Sequence, residues 1–538
     1  MDSELLAEVN AWIADDPDPI TSAQLTSLLE SKDESLLRKY FAGFLEFGTA
    51  GLRGPLGPGP SCMNQAVVGR TAAGLVKFMK ERSLTSVVIG RDARHGSDVF
   101  EQISAEIFSG AGFEVCVLPR PLPTPVLAFA VNELGADVGI MVTASHNPGT
   151  DNGYKVYLGG TVDGVLYRGS QIISPADKQI SAHIKCINSL KSIPRNKVWK
   201  TLDEDIVEKY VERTRMLAPR PGDLKIVYTA MHGVGTKTLQ RVFHRAGFAS
   251  LILVESQAKP DPDFPTLPFP NPEEKGALDL ALETARTFDA DLVIANDPDA
   301  DRCSVAIKER DQSWRALRGD EIGAILGEVM ARSMKFGTLA NSIVSSSILS
   351  KIAAHHKLNF QETLTGFKYI AKIENLIFGY EEAIGFCVDS NTVNDKDGIS
   401  AALVLAQIAT DLKQDGKTFN DLLDEIWQRY GFHATEQISI RVDDLAFISD
   451  LMQKLRSNPL SEIAGFKVIA MEDLLKPTNF LPPTDGIRFT LEKNIRIIIR
   501  PSGTEPKIKC YIEVVNSEKT VALSLLEQLR PSLRELLS

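Results

Sequence analysis

Short apolar segments alternate along this chain with longer segments that have the period of amphipathic helices. The apolar segments are rich in Val and Ile, which is typical of strands buried on both faces of a sheet. Alternation of such strands with helices is the pattern of α/β proteins with a mostly parallel sheet. The sequence therefore predicts layered α/β architecture for most of its length.

The alternation occurs in three successive regions. Their clearest apolar segments are SVVIG (86–90), FEVCVL (113–118) and DVGIMV (137–142) in the first, LKIVYTA (224–230), SLILVE (250–255) and DLVIA (291–295) in the second, and NSIVSS (341–346) in the third, which also holds the helix-like ISAALVLAQIATDL (399–412). The three regions share no strong residue identity, so the inference that they repeat one structural plan rests on pattern alone.

The last hundred residues differ, because alternating ISIRV, IRFTLE and IRIIIR precede a helix-like C-terminus that starts near Ser517. This pattern predicts a small α+β domain. A chain of 538 residues also exceeds the size at which one hydrophobic core keeps growing. Polar or Pro/Gly-rich stretches mark the expected boundaries. We predict four domains, at residues 1–218, 219–318, 319–434 and 435–538.

Charge and cysteine usage exclude several classes of protein. The net charge of -11 argues against a nucleic-acid binder, which needs a basic surface to displace counterions. Six separated cysteines without a C-x-x-C pair disfavour a disulfide framework and a cysteine-ligated zinc site. The N-terminus lacks the pattern of a signal peptide and no long apolar run occurs, so we expect a cytoplasmic protein without membrane contact.

A serine follows the last apolar segment of the first region. Ligands of open α/β sheets bind where strands end, and the segment at 137–142 runs directly into Thr-Ala-Ser145-His146-Asn-Pro. Ser145 beside His146, with Lys155 ten residues later, offers a hydroxyl, a base and a cation, the parts of an activated nucleophile. An ordinary turn is the alternative, since Ser, Asn, Pro and Gly all favour turns.

Three carboxylates follow the last apolar segment of the second region, in DLVIANDPDADR. Asp297, Asp299 and Asp301 lie on alternate positions, and their hard oxygens suit Mg²⁺. An EF-hand does not fit, because Arg302 and Lys308 occupy the positions that need Gly and Glu. A solvated acidic turn remains the alternative to a metal site.

Two further loops have residues typical of anion-binding loops, but only the first is predicted to bind an anion. In IRIIIRPSGTEPKIK, Arg500 offers a planar fork, Ser502 and Thr504 offer hydroxyls, and Gly503 allows close approach of the backbone to an anion. Lys507 and Lys509 add positive potential, although a plain hairpin turn would look similar. The other loop, HGVGTKT at 232–238, lacks the complete glycine pattern of a nucleotide-binding loop, so we predict no nucleotide site there.

Five motifs occur in a fixed order: FGTAGLRG, TASHNP, DPDADR, GYEEAIGF and RPSGTEP. In these motifs, which span nearly the whole length, the chain resembles the α-D-phosphohexomutase superfamily of phosphoglucomutases and phosphomannomutases. LTGFKYI, EEAIGF and NDKDGIS are most similar to the branch with phosphoglucomutase type 2, phosphopentomutase and related bacterial phosphomannomutases. The resemblance implies three similar α/β mixed-sheet domains and a C-terminal α+β domain of TATA-box-protein-like topology around a central cleft.

The resemblance also implies roles for residues. Ser145 would carry the phosphoryl group, and Asp297, Asp299 and Asp301 would bind Mg²⁺ together with an oxygen of that phosphate. The other residues implied are Arg53, His146, Lys155 and Arg302 at the reaction centre, with Lys155 as general acid/base, Glu381, Glu382 and Ala383 at the sugar hydroxyls, and Arg500, Ser502, Gly503, Thr504 and Lys509 at the phosphate that does not react.

The implied activity is interconversion of a sugar 1-phosphate and 6-phosphate, or of pentose 1- and 5-phosphates, through phosphoserine and a bisphosphorylated sugar that also serves as activator. One departure concerns the sugar. Many hexose-specific members have Ser two residues after the first Glu of the sugar loop, whereas Ala383 stands here, and Tyr380 replaces the Gly that would precede Glu381. Glucose, mannose and pentose phosphates therefore all remain open.

Other functions are weighed against the mutase. A phosphoserine-dependent sugar phosphatase would need the same Ser and Asp residues without the distal phosphate site. A binding protein descended from the family is disfavoured because every chemical motif is intact. The sequence leaves the oligomeric state open.

Overall fold

A computed structural model describes residues 2–47, 51–442, 445–476, 481–502 and 507–538. It divides into two compact units, Met1–Ala316 with Gly385–Asp411 and Leu317–Ile384 with Leu412–Ser538. Among the residues thus described, no helix is long and apolar enough to cross a membrane.

The first unit begins with helices and a mixed seven-stranded sheet. The strands of this sheet are Leu52–Pro55, Ser86–Arg91, Glu114–Val117, Val138–Val142, Asp151–Leu158, Ser170–Gln171 and Lys200–Thr201. The helices of this region are Ser3–Asp15, Pro19–Ser31, Glu34–Tyr40, Gln65–Glu81, Ser97–Gly110, Thr124–Glu133 and Ala176–Lys185. A separate two-stranded ribbon joins Thr161–Val162 to Val165–Leu166.

Burial explains why the apolar segments of this region form strands. Val87, Val88 and Ile89 are all buried, as is every residue of Val138–Val142, so side chains on both faces of these strands leave water. Helices that pack on the sheet provide this cover, as the helical period between the apolar segments predicts.

A second, five-stranded sheet completes the first unit. Its strands are Ile226–Thr229, Ile252–Leu253, Leu292–Ala295, Ser304–Lys308 and Trp314–Ala316. The accompanying helices are Asp205–Arg215, Gly235–Arg245, the short Glu255–Gln257 and Asp279–Phe288. Later in the chain, the short strand Gly385–Cys387, which is no part of this five-stranded sheet, precedes the helix Gly398–Gln414. The predicted strand at 250–255 is only two residues long in the structure.

The second unit contains a parallel sheet and an antiparallel sheet. Its parallel strands are Thr338–Ser342, Asn359–Thr363 and Leu376–Glu381, with helices Gly319–Arg332, Ile348–His356, Phe367–Ile370 and Phe419–Tyr430. The antiparallel six-stranded sheet is formed by Phe432–Arg441, Glu462–Ile463, Phe466–Asp473, Ile487–Leu491, Ile495–Pro501 and Lys507–Asn516, with helices Leu445–Ser457 and Lys519–Leu537 and a short turn of helix at Glu492–Asn494.

The three α/β sheets share one arrangement. In each of them the first strand of a parallel trio lies in the middle, flanked by the second and the third: Ser86–Arg91, Ile226–Thr229 and Thr338–Ser342 are the middle strands. The predicted fold class is therefore confirmed, with three similar α/β sheets and a C-terminal antiparallel sheet.

The third region shows one displaced prediction. The segment at 341–346 is apolar enough to predict a strand there, but the strand is Thr338–Ser342 and the chain turns directly after it. Ile343 and Val344 are buried because they pack in a small cluster with Leu474, Ile498 and Tyr511. Ile343 and Val344 are therefore apolar because they pack against the C-terminal sheet, and not because they belong to a strand.

Candidate active site

The loop after the strand Val138–Val142 presents Ser145 in an unusual backbone conformation. Ser145 has a φ of 53°, and its backbone N–H donates to the Thr143 hydroxyl at 2.9 Å. The guanidinium of Arg94 fixes the backbone of this loop. It donates to the carbonyl oxygens of Ser145 and Asn147 at 2.6 Å each and to that of Pro148 at 2.7 Å. Left-handed backbone at a non-glycine residue is sustained only by such surrounding contacts.

The Ser145 hydroxyl meets a carboxylate and an imidazole. Its Oγ lies 2.5 Å from Asp297 Oδ2 and 3.2 Å from His146 Nδ1. Burial first, and then the nearby Arg302 and Arg53, hold the pKa of His146 well below its usual range, so the imidazole is neutral at neutral pH. Which atom donates between Ser145 Oγ and His146 Nδ1 depends on the nitrogen of His146 that carries the proton.

Three buried carboxylates meet after the strand Leu292–Ala295. Ligand atoms of Asp297, Asp299 and Asp301 all lie within 4.8 Å of one another, and each residue is at most 1 % exposed. Ala300 turns the chain with a φ of 55° between the second and third carboxylates. The predicted alternate spacing thus brings the three carboxylates to one point, as a cation-binding loop requires.

Protein donors use only part of this carboxylate set. Lys155 Nζ lies 2.7 Å from Asp299 Oδ2 and 2.8 Å from Asp301 Oδ2. Thr124 donates to the same oxygen of Asp299 at 2.6 Å, and Lys396 Nζ lies 3.5 Å from that of Asp301. The second oxygen, Oδ1, of both carboxylates is buried without a hydrogen-bond partner among the described residues. These unused hard oxygens fit a divalent cation such as Mg²⁺.

The electrostatics of the triad depend on Lys155. Burial, with Asp299 and Asp301 adding to it, raises the pKa of Asp297 well above its usual range. Burial opposes ionisation of Asp299 and Asp301 as well. The ammonium of Lys155, together with Thr124 at Asp299 and with Lys396 and Arg302 at Asp301, outweighs burial and holds both pKa values below the ordinary range. Burial likewise opposes the charge on Lys155, and the two carboxylates outweigh it, so the pKa of Lys155 is raised.

Arg53 and Arg302 complete the predicted reaction centre. Arg302 donates its backbone N–H to Asp297 Oδ1 at 3.0 Å, and its Nε lies 3.9 Å from Asp301 Oδ1. Arg53 lies on the strand Leu52–Pro55 and donates to the Asn147 side chain at 3.4 Å. Burial lowers the pKa of Arg53 although Asp299 opposes that effect. The structure therefore brings Arg53, His146, Lys155 and Arg302 to the serine and the triad.

The predicted sugar loop belongs to the second unit. Gly366 N–H donates to Glu381 Oε1 at 2.7 Å, and the hydroxyls of Ser342 and Ser345 donate to Glu382 Oε2 at 3.1 Å each. Ala383 follows them at the end of the strand Leu376–Glu381 and is partly exposed. Both glutamates are thus held in place by hydrogen bonds from their own unit.

Tyr380, which replaces a glycine of the family pattern, has a structural explanation. Its ring is fully buried and its hydroxyl donates to Asp320 Oδ1 at 3.0 Å. The ring packs so tightly on Gly323 that a Cβ there would lie 2.6 Å from it. Tyr380 therefore anchors the base of the sugar loop.

The predicted phosphate loop also belongs to the second unit. Arg500 lies opposite Lys509 in the antiparallel pairing of their strands, and Ser502 N–H donates to the Lys507 carbonyl at 2.8 Å. Arg500 interacts with the buried Tyr511, whose pKa is raised by burial and by Glu382. The unit thus brings Arg500 near the sugar loop. Gly503 and Thr504 lie outside the described residues.

The HGVGTKT loop has a role that the sequence did not predict. Val234 N–H donates to the Pro298 carbonyl at 2.8 Å, and a Cβ on Gly233 would lie 2.3 Å from Pro298 Cα. Its glycine thus permits close contact with the loop that bears the three carboxylates. The loop therefore supports the segment that bears the three carboxylates.

Sequence reasoning missed Arg94, Thr124 and Lys396 as residues of the site. Arg94 follows a strand exit in GRDAR, which is a signal that inspection of every strand end could have detected. Lys396 lies in NDKDGIS, a motif whose resemblance indicates the family branch but no role for the lysine. Thr124 carries no local signal, because its contact with Asp299 joins positions that are 175 residues apart.

Family models match almost the entire chain. They are described as phosphoglucomutase/phosphomannomutase α/β/α domains I, II and III and C-terminal domain, and they match residues 45–190, 205–310, 318–430 and 440–525. Each match covers most of the strands of one of the four larger sheets described above.

Curated relatives cover most of the chain. A Haemophilus influenzae protein named "Probable phosphomannomutase" is 46% identical over 88% of this chain and 98% of its own length. The phosphopentomutase of Mus musculus is 34% identical over 96% of this chain and 91% of its own length. The phosphoglucomutase of Staphylococcus haemolyticus is 34% identical over 91% and 94%, respectively.

Solved structures share the fold. A phosphoglucomutase/phosphomannomutase family protein of Burkholderia thailandensis aligns with a TM-score of 0.70 at 18% identity over 91% of this chain and 97% of its own. The Paramecium phosphoglucomutase called parafusin aligns with a TM-score of 0.70 at 20% identity over 91% and 95%.

Proposed function

Because the chain belongs to the phosphoglucomutase/phosphomannomutase family and is a phosphosugar mutase, we propose that Ser145 carries the phosphoryl group that moves between two hydroxyls of one sugar. One observation carries the proposal: the buried Ser145 Oγ lies 2.5 Å from Asp297, at the edge of a three-carboxylate cluster surrounded by Arg and Lys side chains. A hydroxyl so placed joins a nucleophile to a cation-binding site.

The proposed reaction has two balanced half-reactions. In the first, the bond between phosphorus and Ser145 Oγ breaks and a bond forms between phosphorus and a hydroxyl of the sugar monophosphate. The sugar hydroxyl loses the proton that the serine oxygen gains. In the second, the other phosphoryl group of the resulting bisphosphate returns to Ser145 and the proton moves back. A sugar bisphosphate is accordingly the proposed activator, because it phosphorylates an empty serine.

We assign the proton transfer to Lys155. Asp299 and Asp301 keep its ammonium charged, so it begins as the acid that protonates the departing serine oxygen. His146 orients the same oxygen through its Nδ1 at 3.2 Å, and Arg53 and Arg302 contribute positive charge around the transferring group.

Asp297, Asp299 and Asp301 are the residues that we propose to hold Mg²⁺. When bound, the ion would stabilise negative charge on the phosphoryl group. The Oδ1 atoms of Asp299 and Asp301 support this assignment, since a buried carboxylate oxygen without a partner is costly. Lys155 neutralises the other side of both carboxylates, so the triad keeps a fixed geometry before an ion binds.

The second unit supplies the proposed substrate contacts. Arg500, Ser502 and Lys509, with Gly503 and Thr504, would bind the phosphate that does not react. Glu381, Glu382 and Ala383 would face the sugar hydroxyls. The proximity of Arg500 to Glu382 and Glu381 around Tyr511 supports a single substrate surface in this unit.

We propose a hexose phosphate, of glucose or mannose, as the main substrate and a pentose phosphate as the alternative. The 46% identity to the Haemophilus influenzae protein supports the hexose reading, whereas the Mus musculus relative is named phosphopentomutase. A coupled assay over glucose, mannose, glucosamine, ribose and deoxyribose 1-phosphates ranks these substrates by kcat/KM.

Replacement of Ser145 tests the proposed function directly. We expect Ser145→Ala to abolish mutase turnover and to lack the phosphate that intact-mass analysis detects on the active wild type. Ser104→Ala, which alters a buried serine in a helix of the same unit, is the matched control and should keep both. Normal turnover by folded Ser145→Ala would refute the mechanism, and phosphate release matching isomerisation would favour a phosphatase.

A further inference from the structure

Thr124 is a fully buried residue at the start of the helix Thr124–Glu133, and it contacts the carboxylate loop twice. Its hydroxyl donates to Asp299 Oδ2 at 2.6 Å, and its backbone N–H donates to the Asp299 carbonyl at 2.9 Å. The residue is 1 % exposed. The first turn of the helix is therefore fixed to the backbone and to the side chain of one of the proposed metal ligands.

These contacts leave the two oxygens of Asp299 in different situations. Oδ2 accepts from both Thr124 and Lys155, whereas Oδ1 is buried without a hydrogen-bond partner among the residues that the structure describes. Two donors on one oxygen fix the rotation of the carboxylate about its Cβ–Cγ bond. The oxygen with unused lone pairs is then always the same one.

The two donors do different things for Asp299. Lys155 supplies charge, and it shares its ammonium between Asp299 and Asp301. Thr124 is neutral, so its bond adds direction and only a small part of the charge balance. The residue at the capping position of this helix is Pro123, whose side chain offers no acceptor, and the Thr124 hydroxyl is directed to Asp299.

We propose that Thr124 is a positioning residue for the metal site, because it holds Asp299 in the rotamer that leaves Oδ1 for the divalent cation. This inference rests on the proposed metal site. Removal of a hydrogen bond behind a metal ligand typically lowers metal affinity about 10 to 100-fold, and we expect Thr124→Val to fall in that range.

The test measures divalent-cation binding to the full-length chain, with Mn²⁺ as the spectroscopic probe. Thr124→Val keeps the shape of the side chain and removes the donor, whereas Thr124→Ser keeps the donor. Thr238→Val is the matched control, because Thr238 is buried on a helix of the same unit and its hydroxyl has no hydrogen-bond partner among the described residues. Titration followed by electron paramagnetic resonance gives the Kd of each protein.

We expect Thr124→Val to raise the Kd for Mn²⁺ at least about tenfold, while Thr124→Ser and Thr238→Val stay within about twofold of the wild type. Excess Mg²⁺ should then restore the kcat of Thr124→Val, since only affinity is lost. An unchanged Kd in Thr124→Val overturns the inference, and so does a kcat that excess Mg²⁺ does not restore.

Two further outcomes are distinguishable. If the wild type binds no Mn²⁺, the proposed metal site itself is wrong, and the inference falls with it. If Thr124→Val does not fold, Thr124→Cys replaces it, because a thiol of similar size is a weak donor, and its Kd must then rise several-fold for the inference to stand.

Discussion

Lys155 performs two tasks at a single position. Its ammonium lies within 2.8 Å of two buried carboxylates, so it compensates charge that burial makes costly, and it is also the proposed proton carrier. Removing one partner of a buried ion pair typically costs about 3–5 kcal/mol of stability. A substitution of Lys155 therefore changes stability and catalysis together. A substitution at a residue with a single role changes activity without a matching change in stability.

Arg500 is such a residue, since its proposed role is confined to the phosphate that does not react. We expect Arg500→Ala to lower kcat/KM, mainly through KM, by roughly 10 to 150-fold, because a charge-assisted hydrogen bond contributes about 1.5 to 3 kcal/mol. Steady-state kinetics with each accepted sugar phosphate measure the change. Arg441→Ala, on another strand of the same sheet, is the control. An unchanged kcat/KM for every substrate would remove Arg500 from the site.

Ala383 is the position from which we predict substrate preference. A hydrogen bond between neutral partners contributes about 0.5 to 1.5 kcal/mol, so the hydroxyl missing here costs a hexose phosphate at most about tenfold. We therefore expect activity on both hexose and pentose phosphates. Ala383→Ser should shift the ratio of their kcat/KM values towards hexose by up to about tenfold. If the ratio does not change, Ala383 does not contact the sugar.

Sequence reasoning identifies the residues that follow strands and misses the residues that hold them. Ser145, the three aspartates and Lys155 were predicted because each follows or belongs to an apolar segment with an unusual polar pattern. Thr124 was missed, since its importance depends on packing against Asp299, which lies far away in the sequence. Spacing alone does not reveal a contact between the start of a helix and a distant loop.

At the scale of elements, the shared arrangement of the three α/β sheets explains the positions of the candidate-site loops. Each has its middle strand flanked by two parallel strands, so the loops after these strands lie at one edge. The serine loop follows Val138–Val142, the carboxylate loop follows Leu292–Ala295, and the sugar loop follows Leu376–Glu381. Each is the third strand of its trio. The repeat that pattern alone indicated is therefore also a repeat of site positions.

Whether the loop at 232–238 holds the carboxylate loop in place can be tested by substitution of Gly233. Gly233→Ala would place a Cβ 2.3 Å from Pro298 Cα, and we expect it to displace the carboxylate loop, at a cost of about 1–3 kcal/mol. The measurements are the Tm of thermal unfolding and the affinity for Mg²⁺, and both should be lower than in the wild type. Gly69→Ala is the control, because its Cβ would meet only the ends of the Leu190 and Ile107 side chains, at 3.1 and 3.7 Å. Unchanged Mg²⁺ affinity in Gly233→Ala would show that the loop gives no support.

Element boundaries were predicted less well than element types. The helices Gly398–Gln414 and Lys519–Leu537 match their predicted segments closely. The strand predicted at 341–346 was displaced because Ile343 and Val344 are apolar for packing on the C-terminal sheet. The three N-terminal helices were not predicted at all. The division into four domains at residues 218, 318 and 434 stays a prediction.

At the scale of the whole molecule, the excess of acidic residues does not conflict with an anionic substrate. The net charge of -11 is a sum over the entire chain, whereas Arg53, Arg302, Lys155 and Lys396 are concentrated around one serine. A few well-placed cations can serve one phosphate locally, whatever the net charge of the whole chain.

Binding of Mg²⁺ should therefore appear in the stability of the whole chain as well as in its activity. A ligand that binds only the folded state stabilises it by about 2.7 kcal/mol at a concentration 100 times its Kd. We expect exhaustive chelation to abolish turnover and to lower the Tm, and added Mg²⁺ to raise the Tm with the logarithm of its concentration. Differential scanning calorimetry and the mutase assay on the same samples measure both effects.

The control for this linkage is Asp299→Asn, which removes one charge from the triad but keeps its shape. Its Tm should respond only weakly to Mg²⁺, because a neutral amide is a poorer ligand than a carboxylate. The variant also separates binding in the triad from general effects of salt, since screening of surface charges acts on both proteins alike. Full activity after chelation, or an equal response of the Tm in both proteins, would show that the three carboxylates do not hold the ion.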